Sequence, residues 1–358
     1  MKGQMKLKSI TKWVDNRYGA IKQVYNNNLA FDNVNRVARI LYRMNAYRKL
    51  SFHMWRRGIT YRDIIRTQFP LINPEPAKPA QVTLEFTNHC NLRCVYCTSS
   101  LALRPQGFMS DETFRNTLEG IKQLHVDRVR IVGNGEPTLH PDFSTFTQTL
   151  CEHIPFVSII TNAQWREPEN VIKILLESSV SLVEISVDGG YKDTYEKMRV
   201  GGKFERLIDN LKLLKAAKKR LGASTMINLR LMMRPSDRFE EKKLTAFWKQ
   251  YGDSVMPQYI VTRKQLDFDD AFTPTQREEH SYPKCSVPFK SFDVIWNGNV
   301  PLCNLSIHQL GGEGLVLGNV NEINLKELWN SLYMKQYRQA HYKRNFDKMP
   351  ICKGCTGI

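Results

Sequence analysis

Three cysteines within eight residues are the part of the sequence best suited to chemistry. Cys90, Cys94 and Cys97 form a C-x3-C-x2-C run directly after a strand-like stretch, residues 82–87. Thiolate is a preferred ligand of zinc and of iron–sulfur clusters, so the run favours a transition-metal centre over a disulfide. A closed zinc site or an electron-transfer cluster takes four protein ligands. Because the run supplies three, one iron would stay open to a small molecule; a zinc knuckle or incidental thiols are the simpler alternatives.

This spacing, with Tyr96 immediately before the third cysteine, resembles the cluster loop of radical S-adenosylmethionine (SAM) enzymes. In that family three cysteines hold a [4Fe–4S] cluster, and SAM chelates its open iron. The reduced cluster cleaves SAM to a 5′-deoxyadenosyl radical, which abstracts a hydrogen atom from the substrate. The resemblance therefore implies an enzyme that binds a [4Fe–4S] cluster and SAM and needs a reductant such as flavodoxin or ferredoxin.

A glycine-rich turn follows the second expected strand. Its residues are Gly133-Asn134-Gly135-Glu136, and they resemble the GGE motif that holds the amino group of SAM in the family. Small residues let a backbone approach a ligand closely, and a carboxylate can accept from an ammonium group. The middle Asn departs from the motif, but both glycines and Glu136 remain. We therefore expect Gly133, Gly135 and Glu136 to bind SAM.

Further SAM contacts are expected after the third and fourth strands. By the same resemblance, Ser186 contacts the ribose and Arg199 pairs with the methionine carboxylate, for which a guanidinium fork is well suited. Tyr96 is expected near the adenine, with a core aromatic as the alternative. Asn162 is either a SAM contact or a cap. Asp188 is expected to cap the turn or helix that follows it.

Strand-like and helix-like segments alternate between residues 81 and 262. The expected strands are Val82–Thr87, Arg128–Val132, Val157–Thr161, Leu182–Ser186, Met226–Met232 and Gln258–Val261. Six βα units predict an α/β fold with a parallel sheet and outer helices. Length alone does not separate a doubly wound sheet from a partial barrel. The radical SAM resemblance implies the second, a TIM-type (β/α)6 partial barrel with its site at the strand C-termini.

Charged residues occur inside several of the expected strands. If Ser186 faces the barrel lumen, Glu184 shares that face, because side chains alternate along a strand. Glu85, Arg130 and Arg230 interrupt other apolar strands in the same way. These residues predict a polar lumen that either binds substrate or holds an ion-pair network that only orders the barrel.

Four more cysteines lie near the end of the sequence. Cys285, Cys303, Cys352 and Cys355 include a C-x2-C pair, and Asn297-Gly298 between the first two is a strong hairpin signal. The pattern resembles the SPASM/twitch auxiliary-cluster domain, and four cysteines would fully ligate one further [4Fe–4S] cluster. Full SPASM domains carry seven cysteines, so the shortened form with a single cluster is expected. A zinc ribbon is the alternative.

Charge is concentrated at the N-terminal end. The net charge is +17, of which +12 falls in residues 1–80. We expect a basic helical extension with a Pro-rich linker over 1–78, the partial barrel over 79–270 and the cluster domain over 271–358. The basic arm suggests an anionic partner, either a substrate or the inner surface of a membrane; the alternative is a solvated surface with no partner.

With no signal-like or membrane-spanning run in the sequence, a cytoplasmic protein is expected.

The substrate is left open by the sequence. A two-electron oxidation of a sugar-, cyclitol- or phosphate-linked small molecule is favoured, since a nearby auxiliary cluster is a sensible electron acceptor. A peptide or protein maturase is the second interpretation. RNA modification is disfavoured, because no RNA-binding pattern accompanies the basic charge. A non-enzymatic cluster or zinc scaffold is also disfavoured. No general base is assigned: Glu184, Arg230 and Asp293 are weak candidates.

Overall fold

The computed structural model describes residues 76–101, 104–260, 285, 287–303, 315–343, 345–347, 349 and 352. The basic helices expected within 1–78 lie outside these residues except for the last three positions, and so does Cys355. Within the described ranges, no helix is long and apolar enough to cross a bilayer.

The described residues form an alternating series of strands and helices. The strands are β1 (Gln81–Leu84), β2 (Arg93–Cys94), β3 (Arg128–Ile131), β4 (Phe156–Thr161), β5 (Leu182–Asp188), β6 (Arg199–Val200), β7 (Met226–Met233), β8 (Ser254–Tyr259), β9 (Ser291–Val294), β10 (Asn299–Pro301) and β11 (Val316–Asn319). The helices are α1 (Asp111–Gln123), α2 (Phe143–His153), α3 (Pro168–Glu177), α4 (Lys192–Met198), α5 (Phe204–Leu221), α6 (Glu241–Lys249), α7 (Val287–Lys290), α8 (Leu325–Asn330) and α9 (Leu332–Lys343). Short 3-10 turns occupy Thr98–Leu101, Pro137–Leu139 and Pro235–Glu240.

Strand order distinguishes a sheet that winds in one direction from a doubly wound one. Strands β1, β3, β4, β5, β7 and β8 lie side by side in chain order, and every neighbouring pair is parallel. A doubly wound sheet instead reverses its order at a switch point. The predicted α/β fold, with six parallel strands in chain order and outer helices, is therefore confirmed. No strand ladder joins the two edges of the sheet within the described residues.

A seventh strand comes from the C-terminal part of the chain. β9 pairs in parallel with β1, Gln81 opposite Ser291 and Leu84 opposite Val294. The turn expected at Asn297-Gly298 forms, with Gly298 at φ +87° and its N–H donating to the Ile295 carbonyl at 2.9 Å. The strands on either side of this turn nevertheless join different sheets, because β10 pairs with β11. Sequence periodicity could not predict the partner of β9.

The two faces of the sheet differ sharply in polarity. In β5, Val183, Ile185 and Val187 are fully buried in the apolar layer that also receives the helices. Because side chains alternate, Glu184 and Asp188 project from the opposite face, together with Ser186. We call this second surface the polar face; it leads at its C-terminal edge to the cysteine loop.

Candidate functional site

The cysteine loop is fixed to the segment that carries Arg199. β2 pairs antiparallel with β6, which sets Cys94 opposite Arg199. The next N–H, from Val95, donates to the Met198 carbonyl at 3.0 Å, and the Cys97 N–H donates to the Cys94 carbonyl at 3.0 Å. Two regions about a hundred residues apart in sequence thus meet through their backbones, so the positions of the thiols and of the guanidinium depend on one another.

Burial makes ionised thiols unfavourable at this site. It raises the pKa of the Cys90 thiol to about 11 and that of Cys94 to about 12, and the neighbouring cysteines add to both shifts. Arg199 opposes the shifts through its positive charge, with Nη1 at 3.9 Å from Cys94 Sγ. Asn162 Nδ2 lies at the same distance, 3.9 Å, from Cys90 Sγ. Thiolates here need additional positive charge, which bound iron would supply.

The donor set fits an iron–sulfur cluster better than a single ion. In the described part of the chain, no three His, Cys, Asp or Glu side chains group closely enough to hold one metal ion. A [4Fe–4S] cluster makes a different demand, since each thiolate binds its own iron at a separate corner. Cys97 lies close enough to Cys90 and Cys94 to raise the pKa of both thiols, and Cys90 raises the pKa of Cys94 as well. The buried Nε of Arg199 also lacks a hydrogen-bond partner among the described residues, which leaves a donor for a ligand carboxylate.

Glu136 connects the ends of two strands. Its Oε1 accepts from the hydroxyls of Thr138 and Thr161, each at 2.7 Å, and its Oε2 accepts from the Asn162 N–H at 2.7 Å. Burial raises the pKa of this carboxyl, and these hydrogen bonds oppose the rise. A carboxylate offers about four acceptor positions, so Oε2 retains capacity for an ammonium donor. Both a structural and a ligand-binding role are compatible with this arrangement.

The two glycines of the turn are required by the protein's own packing. A Cβ on Gly135 would lie 2.4 Å from the carbonyl oxygens of His89 and Thr87, and one on Gly133 would lie 2.2 Å from Cγ of Glu85. The sequence analysis explains both glycines by the close approach of a ligand. In the structure, the missing Cβ of Gly135 leaves room for the backbone that leads into the cysteine loop, and that of Gly133 leaves room for the Glu85 side chain. Gly135 therefore helps to set the position of the cysteine loop.

Asp188 is the buried centre of a charged triad. Its Oδ1 accepts from Arg199 Nη2 at 2.8 Å, and its Oδ2 accepts from the Tyr96 hydroxyl at 2.5 Å. The expected capping role for Asp188 is wrong, because the N-cap of α4 is Tyr191 and both oxygens of Asp188 are used within the triad. Burial raises the pKa of the Asp188 carboxyl, and Arg199 opposes that rise. Tyr96 is thereby held between the cysteines and the sheet.

Asn162 and Ser186 lie at the C-terminal ends of β4 and β5, as the sequence predicts. The Asn162 amide donates to Asn91 Oδ1 at 2.8 Å and its Oδ1 accepts from the Gln164 N–H at 2.8 Å. These contacts tie it to the cysteine loop. Ser186 is half-buried on the polar face, opposite Arg230 in the register of β5 and β7. Their roles as SAM contacts stay predictions.

The charged strand residues do gather on the polar face. Arg130 Nη2 donates to Glu184 Oε2 at 2.8 Å, which spans from β3 over β4 to β5. Arg230 contacts Gln258 Oε1 through Nε at 3.2 Å and Nη2 at 2.9 Å. Of these two arginines, Arg130 is paired with a carboxylate, whereas Arg230 contacts a neutral amide oxygen.

Glu85 contacts loop residues rather than residues at the centre of the polar face. Both of its oxygens accept from Arg104, at 3.0 and 2.8 Å, and Oε2 also accepts from the Asn134 N–H at 2.9 Å. Sequence reasoning missed Arg104, which lies in an irregular segment without periodicity. It also missed Asn91, whose position between the first two cysteines was the available signal.

The described C-terminal cysteines are Cys285, Cys303 and Cys352, all half-buried. His341 on α9 lies 3.4 Å from Cys352 Sγ through Nε2, and burial lowers its pKa to about 4. Sequence reasoning missed this histidine. Asp293, a candidate base, lies on β9 opposite Thr83 of β1.

Two family models match the chain. The radical SAM superfamily model covers residues 84–233, and the model of the SPASM iron-sulfur cluster-binding domain covers residues 285–356. Residues 84–233 are therefore a radical SAM domain, and residues 285–356 are a SPASM domain. The first implies a [4Fe–4S] cluster and SAM, and the second implies auxiliary iron–sulfur binding, as predicted. That the C-terminal domain holds a single auxiliary cluster stays a prediction.

Individual relatives resemble parts of this radical SAM protein. The mycofactocin maturase MftC of Mycobacterium ulcerans is 32% identical over 139 residues, which make up 39% of this chain and 37% of the maturase. The chain thus spans little more than a third of that curated relative. Among solved structures, BtrN in complex with AdoMet and 2-DOIA has a TM-score of 0.52 at 19% identity, over 78% of this chain and 94% of BtrN. Streptococcus suis SuiB bound to precursor peptide SuiA has a TM-score of 0.52 at 17% identity, over 75% of this chain and 68% of SuiB. At such identities the structures support the fold alone.

Proposed function

We propose that this protein is a radical SAM oxidoreductase that removes two electrons from its substrate. When bound, the reduced cluster and SAM supply a 5′-deoxyadenosyl radical that takes a hydrogen atom from the substrate. The observation that carries the proposal is the Asp188–Arg199–Tyr96 triad joined to the cysteine loop. The Arg199 guanidinium lies beside Cys94, and its buried Nε has no hydrogen-bond partner among the described residues, which supports a role in binding the carboxylate of SAM.

The chain's own residues bind and orient in this proposal. Asp188 holds the guanidinium of Arg199 through Nη2, and in this proposal the free Nε donates to the carboxylate of SAM. Glu136 keeps acceptor capacity on Oε2 for the amino group of SAM. Gly135 leaves room for the backbone that leads into the cysteine loop, and Gly133 leaves room for the Glu85 side chain.

Two electrons leave the substrate in separate steps. After the hydrogen atom is removed, loss of a proton and one electron completes a dehydrogenation. The auxiliary cluster, when bound to the C-terminal cysteines, supplies an acceptor for that electron. Because His341 lies against Cys352, a protein hydrogen bond is available to influence that acceptor. No residue is assigned as the base.

The substrate we favour is a small molecule with an anionic group, since the polar face is rich in arginine. A peptide is the second candidate, and a specific observation supports it. One of the curated relatives is a maturase, and SuiB was solved with a precursor peptide. Either substrate could undergo the same two-electron chemistry.

The reaction class is tested with anaerobically reconstituted, full-length protein. Dithionite and SAM are added, and 5′-deoxyadenosine is measured by chromatography. We expect slow formation without substrate, its loss in Cys94→Ser, and its retention in the control Cys151→Ser, which lies on α2 away from the loop. A wild-type protein that contains the cluster but forms no 5′-deoxyadenosine would contradict the proposal. A true substrate should then lose two hydrogen atoms, as measured by mass spectrometry.

A further inference from the structure

Unsatisfied nitrogen donors collect on or beside the polar face. In the part of the chain that the structure describes, the buried side-chain nitrogens without a hydrogen-bond partner are Arg130 Nε, Arg199 Nε and Asn228 Nδ2. The remaining unpartnered buried atoms are hydroxyl oxygens, of Thr147, Ser178 and Thr225. A hydroxyl both donates and accepts, whereas these nitrogens only donate. Because an unpartnered buried donor is costly, the face has a physical need for acceptors.

The charged side chains of the polar face also indicate a shortage of acceptors. Arg130 and Arg199 each have a carboxylate partner, but no salt bridge to Arg230 occurs among the described residues. Within the described ranges, Arg230 donates both of its hydrogen bonds to the neutral oxygen of Gln258. Burial lowers the pKa of Arg230, the positive charges of Arg130 and Arg199 lower it further, and Glu184 opposes them. An added anion would relieve this excess of positive charge.

The strand register brings these groups together. Asn228 and Arg230 are two residues apart on β7 and so share its polar face. Asn228 lies opposite Glu184 of β5, which is the partner of Arg130. Asn228 is fully buried and its Oδ1 already accepts from Ser254, so only its Nδ2 is left to act. The side chain of Arg130 is 30% exposed, so solvent reaches the edge of the cluster at this residue.

We propose that Arg130, Asn228 and Arg230 form a subsite for an oxyanion of the substrate, either a phosphate or a carboxylate. The subsite rests on the proposed function, since it assigns the substrate's anionic group to the polar face. An oxyanion accepts from several donors at once and pairs well with a guanidinium fork. It would satisfy Arg130 Nε and Asn228 Nδ2 and give Arg230 the counter-charge that Gln258 does not provide.

The test uses the full chain with its cluster and with SAM at saturation, so the donor on Arg199 is already occupied. Sodium phosphate or sodium acetate is added, with sodium chloride at equal ionic strength as the reference. Preferential binding to the folded protein raises the unfolding temperature. We expect one of the two oxyanions to raise it above the chloride value. A phosphate response identifies a phosphorylated substrate class, and an acetate response a carboxylate; no response to either overturns the subsite.

Variants locate the binding. Arg230→Gln should weaken the apparent affinity for the active oxyanion by about ten-fold or more, as loss of a charged hydrogen bond does. The matched control, Arg206→Gln on the exposed side of α5, makes the same charge change and should leave the affinity unaltered. Asn228→Asp, nearly identical in shape, places a negative charge at the subsite and should abolish binding; it decides the matter if Arg230→Gln does not fold. Undiminished binding in a folded variant would overturn the proposal.

Formation of 5′-deoxyadenosine without substrate is measured in the same samples. It separates the two failures, because it depends on the cluster loop and not on the oxyanion subsite. Cleavage of SAM without oxyanion binding would refute the subsite alone. Absence of SAM cleavage in the wild type would refute the proposed function.

Discussion

Replacing Asp188 with Asn should destabilise the protein far more than an ordinary ion-pair substitution. The Asp188 side chain is completely buried and that of Arg199 is 6% exposed, so the variant leaves a buried cation without its counter-charge. Breaking a buried pair in this way costs about 3–5 kcal/mol. For a folded unit of this size, about 2 °C is lost per kcal/mol, which predicts a fall in unfolding temperature of roughly 6–10 °C.

The assay is circular dichroism during heating, under anaerobic conditions and identical cluster loading. Asp111→Asn is the matched control, since Asp111 pairs with Arg115 at 2.6 Å but its side chain is 55% exposed. An exposed pair contributes only about 0–1 kcal/mol. The double variant Asp188→Asn/Arg199→Met should recover part of the stability but not SAM cleavage. If Asp188→Asn lowers the unfolding temperature no more than Asp111→Asn, the reasoning about the buried triad is wrong.

Three further outcomes are expected. Reconstituted wild type should hold about 8 iron per chain and the Cys90/Cys94/Cys97→Ala variant about 4, by iron and sulfide analysis. An unchanged iron count would show that these three cysteines bind no cluster. Gly135→Ala forces a Cβ against backbone oxygens, so cluster retention after gel filtration should fall, and full retention would contradict the packing argument. Burial lowers the pKa of His140, so the unfolded chain binds a proton more readily below the ordinary value of 6.5. Stability should therefore fall as pH drops below about 6.5, and His140→Gln should reduce that slope in urea unfolding.

The sheet could be predicted because its strands carry local signals. Strand-like stretches of four to seven residues, separated by amphipathic helical segments, predict parallel strands without knowledge of their neighbours. β9 could not be placed this way: its partner β1 lies about two hundred residues earlier, and only tertiary contact determines that pairing. The turn at Asn297-Gly298 was predictable, since it depends on adjacent residues.

The candidate site shows the same division. The cysteines were evident from their spacing, and Glu184 and Arg230 from the alternation of side chains in strands. Spacing did not reveal that Asp188 holds Arg199, because a carboxylate after a strand is equally suited to capping. The unpaired nitrogen of Asn228 had no sequence signal at all, since its neighbours decide whether an amide is satisfied.

The pairing of β9 with β1 bears on how the chain could be divided. The two family models leave a gap between residues 233 and 285, which suggests separable modules. Yet removing the C-terminal part would strip β1 of a partner along its whole length and expose a new sheet edge, prone to self-association. Since β1 leads directly into the cysteine loop, truncation there would disturb the first cluster as well. A shortened protein that keeps the partial barrel would therefore have to retain β9 as well.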